Sequence, residues 1–100
     1  MPWWRKTVEH LKSECPITRH RLVVQRRKLK SYDHGSTFLS NSEQTITIVV
    51  NTKHPFTDQI HTLLHEWGHA MWLDRVDWHD KKWGEYHSEA YRAWERLESG

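Results

Sequence analysis

The chain reads as an α+β domain, and three observations carry that reading. Residues 45–50, TITIVV, are β-branched throughout and bounded by turn residues. Two stretches, residues 56–74 and 81–97, repeat apolar residues at helical spacing. The strands come before these two helices rather than alternating with them, which predicts a small sheet with helices on one side. A length of 100 residues fits one domain.

Taken in order, residues 3–13 form a short helix with Trp4, Val8 and Leu11 on one face and Pro16 beyond its end. Residues 21–29 predict a strand around Leu22, Val23 and Val24. Residues 32–36, with Asp33 and Gly35, read as a turn, and residues 37–39 as a brief second strand. After a turn at 41–43 comes TITIVV, with Ile46 and Ile48 on one face and Thr45 and Thr47 on the other. A helix then starts between Pro55 and Asp58, with Thr57 as the expected N-cap, and runs to Asp74. The final helix begins at Asp80 or Lys81 and ends near Leu97.

Composition excludes more than it assigns. Fifteen basic against 13 acidic residues leave a formal charge of +2, too even to argue for nucleic acid by itself. The basic residues between Arg19 and Lys30 are read first as a solvated strand edge and second as a surface for an acidic or nucleic-acid partner. Cys15 is alone, so no internal disulfide forms, which favours a reducing compartment. No stretch approaches the roughly 20 apolar residues of a membrane span, nor the apolar run of a signal peptide. The expectation is a soluble, cytoplasmic monomer that takes no membrane partner.

Residues 65–69, HEWGH, carry the chemistry. Histidines at i and i+4 share one face of a helix and can direct both imidazoles at one ion. Glu66 stands about 100° round the helix from His65, where it reaches a water on the metal rather than the metal itself. With His65 at zero, His69 falls at about +40°, while Ile60, Leu63, Trp67 and Met71 fall on the far side. The histidines therefore face away from the core. His61, one turn earlier, is expected at the surface or behind the ligands. Asp74 and Asp77 are candidates to orient a ligand histidine through its second ring nitrogen.

A catalytic zinc takes three protein ligands, and the third is open among His79, Glu89 and His87. On the last helix Ala90, Trp94 and Leu97 define the buried face, from which Glu89 is turned away by about 120°. His79 and His87 lie within about 40° of that face. The segment from His79 to Trp83, H-x-x-x-W, resembles the third-ligand segment of SprT-like zinc proteins. It does so with Asp80-Lys81 in place of their usual Gly-Pro. The run LHEWGHA, followed by H-x-x-x-W-G and Tyr91-Arg92, is similar to short metallopeptidase-like proteins of bacteria and phages, over about residues 45–95. Glu89, twenty residues after His69, instead resembles the glutamate ligand of gluzincins, and SEAYRAWERL the ligand helix of minigluzincins.

These resemblances imply a minimal zincin-like domain. They imply a zinc metalloendopeptidase with Zn²⁺ on His65, His69 and first of all His79, and Glu66 as general base. They also imply a polypeptide substrate lying extended along an edge strand, here expected at Thr45, Ile46, Thr47, Ile48 and Val49. Tyr86 and Tyr91, with His87, are the candidates to stabilise the oxyanion. The rival expectation is a non-catalytic, zinc-stabilised interaction or nucleic-acid-associated module.

Overall fold

The computed structural model describes residues 2–75 and 83–99, with side chains at 3–75 and 88–99. Its elements are α1 (Pro2–Glu14), β1 (Arg21–Arg27), β2 (Gly35–Ser40), β3 (Thr45–Asn51), α2 (Phe56–Asp74) and α3 (Trp83–Ser99). The α+β class and all the expected elements are present. β2 is longer than expected and starts inside the expected turn at Gly35. α2 starts one residue before Thr57, with Pro55 at the cap position and no side-chain cap, so Thr57 lies in its first turn. No helix among the described residues is long and apolar enough to cross a membrane.

The sheet order is β1-β3-β2, with β1 parallel and β2 antiparallel to β3. This overturns the expectation that residues 45–49 form a substrate-binding edge. β3 is the central strand, and neighbours on both sides take up its backbone hydrogen bonds. Its burial shows why: Ile46, Ile48, Val49 and Val50 are all buried, so both faces of the strand are covered. A continuous apolar run of this kind belongs inside a sheet, and β2 is the edge that runs beside α2.

Register and pleat sort the sheet into two faces. The inner row pairs Leu22, Val24 and Arg26 of β1 with Ile46, Ile48 and Val50, and these with Leu39, Thr37 and Gly35 of β2. α2 packs on this face. Leu63, Leu64, Trp67, Ala70 and Met71 are fully buried, and the Trp67 indole N–H donates to the Cys15 carbonyl at 2.9 Å. Emptying a site of this kind costs about 3–5 kcal/mol. Among the described residues, Arg26 enters the inner row without a carboxylate partner. It donates to Gln59 Oε1 at 3.1 and 2.7 Å, and its guanidinium lies over Trp4, 4.7 Å from the ring centroid.

Gly35 allows α2 to press this closely on β2. A β carbon there would run into the Val49 carbonyl oxygen and come within 2.9 Å of Thr62 Cγ2. Two residues on, Thr37 meets Glu66. β2 and α2 therefore run side by side in the same direction.

α3 packs on the other flank of α2. Trp94 shares a cleft of about 250 Å³ with Trp3, Phe56, Thr57 and Ile60, and Tyr91 lies at His61. Stepping back along α3 thus means stepping forward along α2, so the two helices are antiparallel.

Candidate metal centre

α2 presents His65, Glu66 and His69 in the gap between β2 and α3. The back of the helix is fully buried at Leu63, Trp67 and Met71, as the helical spacing predicts, while His65 is exposed and Glu66 and His69 are half-buried. The two Nε2 atoms converge to 3.2 Å, with the rings at 76° to each other. Nitrogens at the usual zinc distance in tetrahedral coordination stand roughly 3.3 Å apart. The separation of the pair is therefore that of two ligands on one tetrahedral ion. Burial holds the His69 imidazole below the usual histidine range, against Glu66 which raises it and together with His65 which lowers it further. A lowered pKa keeps the ring neutral, the form that binds metal.

Glu66 points to the other wall. Thr37 Oγ1 lies 2.7 Å from Glu66 Oε1 and 3.1 Å from the Glu66 carbonyl oxygen. Nothing in the local sequence of β2 marks Thr37 for this role, and sequence reasoning missed it. The α3 wall carries Tyr91, whose hydroxyl shares a 3.2 Å hydrogen bond with His61 Nδ1. The His61 ring also meets Trp94 edge-on at 5.7 Å. Burial raises the Tyr91 phenol above the usual tyrosine range, so it remains an O–H donor through neutral pH.

The third ligand divides by what is described. His79 and Asp77 lie outside the described residues, as do the side chains of Tyr86 and His87. Among the described residues, no third His, Cys, Asp or Glu joins the histidine pair. Glu89 is described and is not gathered there. Its charge is felt at Cys15, where burial first and Glu89 second raise the thiol to about 11. The antiparallel packing brings the early turns of α3 alongside the later turns of α2, and His87 belongs to those early turns.

Among the described residues, Asp74 meets neither His65 nor His69. It is buried and turned towards the α1–β1 loop, where it accepts from Thr18 N at 3.1 Å, Arg19 N at 2.8 Å and His20 Nδ1 at 3.0 Å. A carboxylate only accepts, so His20 carries its proton on Nδ1. Residues 33 and 34, which lead into β2, also have a local role. His34 stacks on His54 at 4.5 Å.

No protein-family model, curated protein or solved structure matches this chain.

Proposed function

We propose that the chain is a zinc-dependent metallopeptidase of zincin type. The observation that carries the reading is the convergence of His65 and His69 Nε2 to 3.2 Å on a helix whose next carboxylate, Glu66, faces the same gap. His65 and His69 hold Zn²⁺, and His79 is the first choice for the third ligand, ahead of His87 and Glu89. Bound zinc supplies Lewis acidity, polarising the scissile carbonyl and acidifying a water. Glu66 takes the proton of the attacking water and delivers it to the leaving amine. Tyr91 is a candidate to donate to the developing oxyanion, with Tyr86 as the second. An extended polypeptide pairs with the outer edge of β2, which flanks Glu66 through Thr37.

The test is zinc stoichiometry read beside cleavage of an unstructured polypeptide. His65→Ala, His69→Ala and His79→Ala should each lose zinc, whereas Glu66→Ala should keep zinc and fold but lose cleavage. Retention of zinc in His79→Ala with loss in His87→Ala or Glu89→Ala would reassign the third ligand. Undiminished cleavage by Glu66→Ala would sink the peptidase reading.

A second reading has one observation in its favour. Tyr32 is 72% exposed, Lys30 Nζ lies 5.9 Å from its ring centroid, and Lys28 and Lys53 line the same shallow hollow. A stacking ring among lysines suits single-stranded nucleic acid, as in a zinc-stabilised binding module. Anisotropy with a labelled oligonucleotide separates the two readings: such a module binds equally well as Glu66→Ala and weakly as Tyr32→Ala.

A further inference from the structure

We propose that Thr37 is the positioning residue for the general base, so that the strand offered to the substrate also aims the carboxylate. This rests on the peptidase reading above. Thr37 belongs to the inner row of β2, paired with Ile48 of the central strand. Its hydroxyl reaches both the side chain and the backbone of Glu66. A threonine hydroxyl has one proton. The carboxylate at 2.7 Å is the shorter contact and the charged acceptor, so it receives that proton.

Three features make this more than a chance surface contact. The β-branched side chain is stiff at χ1, so the strand backbone fixes where the hydroxyl stands. Gly35, two residues earlier, permits the close approach of strand and helix, with Thr62 in the way of any larger residue. The central strand is buried on both faces and anchors β2 from the other side. One carboxylate oxygen is thus tied to the sheet and the other is left to handle the proton. A polypeptide added to the edge of β2 would then be registered against the same strand that holds the base.

The experiment compares Thr37→Val, which keeps the shape and removes the hydroxyl, with Thr37→Ser, which keeps the hydroxyl. Each is assayed on zinc-loaded protein for kcat, KM and zinc content. The carboxyl-carbon NMR resonance of Glu66, assigned through Glu66→Gln, is recorded on the same variants. Thr37→Val should lower kcat by roughly 10- to 100-fold, the usual effect of removing a partner that orients an active group. KM, zinc content and melting temperature should hold, and the Glu66 resonance should move. Thr37→Ser should restore most of kcat and the wild-type resonance. Wild-type kcat and an unmoved resonance in Thr37→Val would overturn the proposal. So would a kcat lost in Thr37→Val and not recovered by Thr37→Ser. A wild-type chain that loads zinc and cleaves no polypeptide fails the peptidase reading itself. An active enzyme indifferent to Thr37 fails only this proposal.

Discussion

Glu66 and Asp74 are two carboxylates of one helix, about two turns apart, and their surroundings differ in kind. Asp74 is 1% exposed, and its two oxygens accept three N–H donors from the α1–β1 loop. Glu66 is half-buried and takes one hydroxyl on one oxygen. The first has three of its roughly four acceptor sites filled and ties distant parts of the chain together. The second has one oxygen tied and proton capacity to spare. A carboxylate's role follows from how many of its acceptor sites the fold has filled, not from its position on the helix.

The sharpest way to break this comparison is to neutralise each in turn. Glu66→Gln keeps the shape and removes the base. Cleavage should fall by about 10²–10⁴-fold, with zinc content and urea midpoint unchanged. Asp74→Asn should do the opposite. One oxygen becomes an NH₂ facing an N–H donor, which costs about 2–4 kcal/mol of stability by urea unfolding. The protein that remains folded should keep its zinc and its kcat. A variant of Asp74 that lost activity faster than stability would place it in the chemistry after all.

Gly35→Ala tests the wall that holds Glu66, and its effect is smaller. The added methyl group would run into the Val49 carbonyl oxygen as well as Thr62, so β2 must shift from both, at a cost of about 1–3 kcal/mol. β2 should move away from α2, so kcat should fall along with the urea midpoint. That coupled loss distinguishes Gly35 from Asp74.

The helix and the histidine pair were legible because both are local. A 3.6-residue period fixes which side chains share a face, and Leu63, Trp67 and Met71 duly fill the back of α2. Strand order is not local. TITIVV was placed at an edge, although the unbroken run Ile48-Val49-Val50 carried the signature of a strand covered on both faces. Asp74 was misplaced because its partners lie 54 to 56 residues away. Thr37 was invisible for the same reason, since its contact with Glu66 spans 29 residues. Side-chain periodicity predicts a face, while a partner across the fold appears only once the sheet order is known.

The smallest predicted effect concerns Cys15, which is buried and, among the described residues, has no ring of donors. Its carbonyl accepts from Trp67, but burial, aided by Glu89, raises the thiol from 9.0 to about 11. Below pH 9 the thiol is protonated in both folded and unfolded chains and contributes no slope. From about pH 9 to about 11 the unfolded chain releases a proton that the folded chain retains, so stability falls as pH rises through that window. Tyr91, also raised by burial, adds a loss of the same sign from its ordinary value of 10.0 upward. Cys15→Ala separates the two. Urea unfolding at pH 8 and pH 10.5 should show a smaller loss in Cys15→Ala than in the wild type, with the raised Tyr91 phenol contributing to the remainder. An equal loss in both proteins would mean that the thiol ionises as readily in the fold as in water. The contrast with Asp74 would then fail, because burial without donors would no longer decide which form a group keeps.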